Sequence, residues 1–515
     1  MDMSGQSFIL GALILLGASF VNRIIGFVYQ IMMIRLIKPE GIGLFNMVFP
    51  VYILVLVLAT MGIPVAVAKL VAEEAAKHNM RGANRIFKIS LLILLCSSIF
   101  FTVLLVLASP WLTKYVFPNP KVYYIFLCLL PGIIVVSVCS VFRGYFQGLQ
   151  QMAPTAITQT LEQIVRVTAG LSIAYLMLPR GVEYAAAGAS LGVVIGEFTG
   201  CLAMLYLFIK KKQPVPAGYR PVHEPLPQTL GRIFTLGIPV TMTRFASTLL
   251  ISAEAFFIPQ RLQASGMSVQ QATSVYGQLV GIAETLLYTP SMVTIALATA
   301  LVPAISDALA LENYRLVQTR TAQALRITIG VGLPCAAAFC LLAQELCGIL
   351  FGYEDAGRLL AALALGGPFL YFQQTSTGIL QGMGQAVKPF KNLVIASAFK
   401  LWGLYFLTPL MGILGSVLSL NLFYVLMALL NYFDLRKLIG YRVQFTADIA
   451  KPLLSAGGMA VVIWQIKIIC SASPVLTLIG ALSAGGLAYI LLLFLLGGIQ
   501  RQDFWHIVKL VVKRF

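Results

Sequence analysis

Apolar runs of about twenty residues, cut by short polar breaks, recur along the chain from residue 8 to residue 497. They predict helical spans at 8–36, 43–68, 87–109, 122–146, 154–178, 184–209, 233–257, 274–305, 323–347, 358–381, 389–411, 413–434, 452–470 and 475–497. At 1.5 Å per residue, about twenty residues cross the roughly 30 Å hydrocarbon core of a bilayer. The expected fold class is therefore an all-α polytopic membrane protein with about 14 transmembrane helices. The opening residues 1–7 lack the basic stretch of a secretory signal, so the first run is read as a retained helix.

Several runs carry polar side chains at helical spacing. In the first, Ser19, Asn22, Arg23, Gly26 and Gln30 fall on one stripe. That stripe cannot face lipid; it lines a cavity or forms a polar seam between helices. The seventh run repeats the feature with Thr241, Arg244, Thr248 and Ser252, and Glu254 lies further toward the outside. The fifth aligns Thr155, Gln159, Glu162 and Arg166, the sixth carries Glu197, and the eighth presents Gly277, Gly281, Glu284 and Tyr288. A charge at mid-bilayer costs about 2.5–3.5 kcal/mol on insertion scales, so each of these needs a partner or water. Glu162 and Arg166, four apart, are placed to neutralise each other. Glu162, Glu197, Glu254 and Glu284 are candidate coupling acids for a proton or sodium ion, and equally candidate structural groups.

The chain reads as built twice. Gln381 and Gly382 echo Gln147 and Gly148 at a separation of 234, and 300–303 (ALVP) echoes 61–64 (MGIP) at 239. A six-helix repeat in one orientation predicts two lobes. They are an N-terminal lobe at 1–209 and a C-terminal lobe at 233–434, joined by a proline-rich cytoplasmic linker at 210–232. Residues 435–515 then add two helices and a basic tail suited to the cytoplasmic surface.

Composition agrees: 59% hydrophobic and only 10% charged residues leave too little polar surface for a soluble fold of 515 residues. Loop Lys and Arg divide 24 to 8 between the two sides, which predicts a multi-pass cell-membrane protein with both termini cytoplasmic. The four remaining bases, Arg23, Arg166, Arg244 and Lys400, fall inside spans. The net charge of +18 follows from the loop bias and attraction to anionic lipid, and no fold presents it to nucleic acid. The eight cysteines form no CxxC and are read as buried thiols, with no metal site expected.

The strings NRIIGF (22–27), PEGIGLFNM (39–47), GIPVAVAKLVAE (62–73), FRGYFQGLQQMAP (142–154), LEQIVR (161–166), EYAAAGA (183–189) and TALVPAISDA (299–308) resemble those of the stage V sporulation protein B family. These are polysaccharide-biosynthesis transporters of the multidrug/oligosaccharidyl-lipid/polysaccharide exporter superfamily. The resemblance implies a two-lobed transporter similar to lipid II flippases. Such a protein would carry an undecaprenyl-linked peptidoglycan precursor from the inner to the outer leaflet for spore cortex synthesis. In lipid II flippases, arginines on the first, second and eighth helices line the central cavity. Only Arg23 falls on that pattern; the second run has no internal arginine and the eighth carries Glu284. From this sequence itself, Arg166 and Arg244 are proposed to supply the missing charge.

The expected substrate-binding set is Asn22, Arg23, Gln30, Arg166, Thr241, Arg244 and Thr248. Arg23 and Arg244, one on each lobe, would grip a pyrophosphate during alternating access, and the polyprenyl tail would stay in lipid against the last two spans. The expected partners are a lipid-linked anionic glycolipid and membrane lipids, with no cofactor beyond a coupling ion or the membrane potential. Whether a cell-wall synthase also takes part is left open. A cation-coupled multidrug antiporter of the same superfamily would need a cavity dominated by carboxylates, whereas four in-span bases here match four acids. A membrane enzyme acting on lipid-linked sugars would need clustered acid/base or metal chemistry, yet His78, His223 and His506 lie in three separate loops.

Overall fold

The computed structural model describes residues 8–210, 225–441, 443–469 and 473–498. Most of the expected linker and the whole basic tail after residue 498 lie outside these residues, as do His223, Cys470 and His506. Among the described residues every regular element is helical. They run α1 (Phe8–Thr60), α2 (Ile63–Ala76), α3 (Met80–Tyr115), α4 (Tyr123–Gly148), α5 (Ala153–Met177), α6 (Val182–Lys210), α7 (Leu226–Ala264), α8 (Val269–Gln278), α9 (Ser291–Ala310), α10 (Tyr314–Leu341), α11 (Ala343–Phe351), α12 (Ala356–Ala364), α13 (Gly367–Gly382), α14 (Val387–Met411), α15 (Ile413–Ile439), α16 (Lys451–Ile469) and α17 (Pro474–Leu495).

Twelve described segments are long and apolar enough to cross a membrane. The first, Gly17–Ala76, has 60 residues, enough for two crossings. Its helix breaks at Lys38 (φ 62°), just before Pro39, and ends at Met61 and Gly62, both at positive φ. The expected span at 358–381 is made by α12 and α13, interrupted at Leu365 and Gly366 and each too short alone. Those two features account for the difference between twelve segments and the fourteen runs read from the sequence.

Packing divides the chain into two compact units: one ends at Gln263 and takes in Met267–Gly277, and the other takes in Ala264–Gly266 and continues from Gln278. In the first, Ile63 and Val67 of α2, Ile86 and Phe87 of α3, and Phe142 and Phe146 of α4 build a buried core. The Phe87 ring lies 5.0 Å from Phe142 and 4.8 Å from Phe208 of α6, close enough for ring pairing. In the second, Leu301 and Ile305 of α9 pack with Val317 and Leu325 of α10 and Ile379 and Leu380 of α13.

The two units reuse one local design at a constant offset of 234. Gly144 and Gly148 of α4 sit so close to α2 that an added Cβ would fall 2.6 Å from the carbonyl oxygens of Pro64 and Ala68. Gly378 and Gly382 of α13 repeat this against the carbonyl oxygens of Ala298 and Val302 of α9, at 2.8 and 2.9 Å. Each member of the second set follows its counterpart by 234 positions. Asn79 caps α3 by accepting from the Gly82 amide at 3.0 Å, and Asn313 caps α10 by accepting from the Leu316 amide at 2.9 Å. The preceding residues, His78 and Glu312, both adopt positive φ and close the helix before them. The separation of 239 between the MGIP and ALVP strings is therefore out of register: Pro64 corresponds to Ala298, not to Pro303.

In the first unit, α5 and α6 pack through glycines spaced four apart. A Cβ on Gly188 would lie 3.0 Å from the Ala174 amide nitrogen, one on Gly192 would lie 2.2 Å from the Gly170 Cα, and one on Gly196 would lie 2.8 Å from the Glu162 carbonyl. Small residues at this spacing let two helix backbones approach in lipid, where packing rather than hydrophobic exclusion drives association. Gly192→Val must push the helices apart, and we expect it to cost at least about 1–3 kcal/mol, the usual range for overpacking. Gly480→Ala in α17, where nothing lies within 4 Å of the new Cβ, should leave the melting temperature in detergent unchanged or slightly raised. Equal melting temperatures for the two variants would refute the close-packing account.

The last two helices are tied to the second unit by polar contacts. Asp448 accepts from Arg326 at 3.0 Å, Lys467 reaches Glu345 at 2.6 Å, and Tyr489 donates to the Gly330 carbonyl at 2.8 Å.

Candidate functional site

The first unit holds a cluster of four charges among α4, α5 and α6. Glu162 lies between two guanidinium groups, with Arg143 Nη2 at 2.6 Å from one carboxylate oxygen and Arg166 Nη2 at 2.5 Å from the other. Arg166 also reaches Glu197 of α6 at 3.3 Å. Two arginines and two glutamates sum to zero, which is how such groups persist in an apolar span. The glycines of α6 make room for it, because a Cβ on Gly200 would lie 3.1 Å from the Glu162 Cβ. Arg143, read from the sequence as a loop base, is a member of this cluster inside α4.

The α1 stripe faces α5 in part. Gly26 opposes Gln163, whose Nε2 would lie 3.5 Å from an added Cβ, and Tyr29 fills the space left by Gly170. Asn22 is half-buried, and its carbonyl oxygen is buried with no hydrogen-bond partner. Gln30 is half-buried and engaged in further contacts. Arg23 is exposed and, among the described residues, has no ion pair.

On α7, Arg244 is likewise exposed, with no ion pair among the described residues. Thr241 is buried and donates to the Gly237 carbonyl of its own helix at 2.8 Å, and Thr248 is half-buried. Helix α7 packs within the first compact unit, so Arg23 and Arg244 belong to the same compact unit. The cause is local. Gly62, at φ +60°, approaches Gly237 so closely that a Cβ would fall 2.4 Å from its carbonyl oxygen. Ser252 donates to the Pro50 carbonyl at 3.0 Å, and Arg232 bonds Glu73 at 2.9 Å and the buried Glu74 at 3.3 Å. Glu254 and Glu284 are half-buried and engaged in further contacts; Glu284 ends a π-helical turn at Leu279–Glu284 that extends α8.

In the second unit two buried amides, Asn392 and Asn431, centre a polar network. Asn392 donates to Asn431 at 3.0 Å and to Asp434 at 2.8 Å, and Asn431 donates in turn to Ser376 at 3.0 Å and Thr377 at 3.1 Å. Lys400, the fourth in-span base, is buried with its ammonium 4.4 Å from the centre of the Phe423 ring. This network was not read from the sequence; neutral amides raise no alarm in a hydropathy profile.

Residues 9–309 match the model of the polysaccharide biosynthesis protein family, and residues 279–406 match that of the MatE family. The chain belongs to the polysaccharide biosynthesis protein family. It is 32% identical to stage V sporulation protein B of Bacillus subtilis (strain 168), over 97% of this chain and 98% of that one. It is 25% identical to the lipid II flippase MurJ of the same organism, over 95% and 96% of the two chains. Among solved structures, the lipid II flippase MurJ in an inward closed conformation has the same fold, with a TM-score of 0.72 at 14% identity over 95% of this chain and 99% of that one. Family and fold together make the chain a multi-pass membrane protein of the polysaccharide biosynthesis protein family with the fold of the lipid II flippase MurJ.

Each member of the four-charge cluster is engaged by another. Arg23 and Arg244, by contrast, sit in apolar spans, are exposed, and carry no ion pair among the described residues. An arginine in that position requires water or an anion beside it.

Proposed function

We propose that the protein is a flippase that moves an undecaprenyl-pyrophosphate-linked peptidoglycan precursor, or a related polysaccharide lipid, from the inner to the outer leaflet by alternating access. The spore cortex is the wall layer that this reading supplies, and both termini are cytoplasmic. The observation that carries it is the pair of exposed arginines on α1 and α7, which have no ion pair among the described residues. A pyrophosphate cannot cross hydrocarbon unaided, and a guanidinium fork matches its oxygens through charge-assisted, two-point hydrogen bonds. The similarity to a lipid II flippase supports the same class of cargo, and that to stage V sporulation protein B supports a place in sporulation.

Arg23 and Arg244 bind the pyrophosphate, with Asn22 and Gln30 beside Arg23 and Thr248 one turn from Arg244. Arg166 stays with Glu162 and Glu197 and shapes the field around them. Purified protein in liposomes should carry fluorescent lipid II between leaflets at a rate that drug cations do not reduce. Competition by drug cations, with no movement of lipid II, would favour instead the cation-coupled multidrug antiporter to which the MatE match points.

A further inference from the structure

Beside the crossing of α9 and α13 in the second unit lies a cavity of about 520 Å³, within the size range of small-molecule sites. Ile295 and Val302 of α9 give it an aliphatic wall, and Gln373, Gln374 and Gln381 of α13 also line it, Gln374 and Gln381 seven apart on one stripe and Gln373 beside it. The crossing is tight because Gly378 meets Ala298, so the cavity is built by the helix packing rather than by a loose loop.

No residue lining this cavity is ionisable. A cation site would need a carboxylate, and a phosphate site would need Arg or Lys. What is offered instead is three carboxamides, each with two donors and one acceptor. The Gln374 carbonyl accepts from Thr294 at 2.6 Å. Among the described residues its amino group, and the whole carboxamides of Gln373 and Gln381, make no hydrogen bond; Gln373 and Gln374 are half-buried and Gln381, at the rim, is exposed. Unused donors and acceptors opposite an aliphatic wall match a ligand with hydroxyl or amide groups on one face and C–H groups on the other.

We propose that this cavity binds the uncharged sugar portion of the transported lipid, an amide-bearing hexose seated with its polar edge on α13 and its C–H face on α9. The inference rests on the reading above that the cargo is a glycolipid, but its test does not need transport. The probe is N,N′-diacetylchitobiose, which carries neither phosphate nor lipid, observed by ligand NMR with purified full-length protein in detergent. Wild-type protein binds it saturably. Gln373→Met combined with Gln381→Met weakens binding about tenfold, as expected for losing two neutral hydrogen bonds, and Ile295→Trp, which fills the cavity, abolishes it. Thr299→Val, at an exposed lining position, gives a smaller loss in the same direction and serves if either larger change prevents folding.

Absent binding to wild type, or equal binding by all variants, overturns the proposal. Leaflet transfer separates the two readings. If wild type moves labelled lipid II and the Gln373/Gln381 double variant moves it with the same concentration dependence, the cavity is not the sugar site and the flippase reading stands. If wild type moves no lipid II yet binds the disaccharide through these residues, the cavity stands and the flippase reading falls.

Discussion

Glu162→Gln is expected to destabilise the protein by about 3–5 kcal/mol, the cost of removing one partner from a buried ion pair. Glu162 is the hub of the cluster, holding Arg143 at 2.6 Å and Arg166 at 2.5 Å, so its neutralisation leaves two guanidinium groups facing one remaining carboxylate. Glu197→Gln removes only the 3.3 Å contact to Arg166, which keeps Glu162, and should cost about 1–3 kcal/mol, as for one buried unsatisfied group. The order matters more than either value. Melting temperatures of detergent-solubilised variants give that order directly, and a double-mutant cycle of Glu162→Gln with Arg143→Gln should show a coupling in which the second change is nearly free. A Glu197 variant as damaged as the Glu162 variant would mean that the charge is distributed evenly, without a hub.

The arrangement behind that prediction was only half legible. Glu162 and Arg166 announced themselves because four-residue spacing on a helix and the insertion cost of a charge are both local facts. Arg143 was hidden by its neighbours: it lies near a polar break, and a base near a break looks like a loop residue whatever its side chain reaches. The glycines at 188, 192, 196 and 200 carried the missing information, since a four-residue repeat of the smallest side chain predicts a helix pressed close to another. It does not say which other helix. The spans themselves followed from hydropathy, and the duplication was visible in the glutamine–glycine pairs, because the close crossing of α2 with α4 and of α9 with α13 can only be made by glycine. The proline strings failed as a guide to register because their prolines hold different places: Pro64 opens α2, whereas Pro303 lies inside α9. The assignment of α7 was also beyond the sequence: Gly237, Arg232 and Ser252 look ordinary until Gly62, Glu73, Glu74 and Pro50 are found beside them.

Arg23→Ala and Arg244→Ala should each slow leaflet transfer by about 10- to 100-fold while leaving the melting temperature near wild type. The rate estimate comes from losing a charge-assisted hydrogen bond worth about 1.5–3 kcal/mol, at 1.4 kcal/mol per factor of ten. The stability estimate comes from exposure: neither side chain has an ion pair among the described residues, so removing it orphans no carboxylate. Arg→Lys at either position keeps the charge but loses the two-point fork, and an intermediate rate is expected. This contrast separates cargo binding from framework. A Glu162 variant loses stability, and any loss of rate follows from that; an Arg23 or Arg244 variant loses rate alone. Both arginines lie in the same packed unit, so their effects should be strongly coupled if they hold one pyrophosphate and additive if they act at separate points along the path. Wild-type transfer by normally inserted Arg23→Ala and Arg244→Ala proteins would remove the anion from the mechanism. The two charges would then have to be explained by water alone.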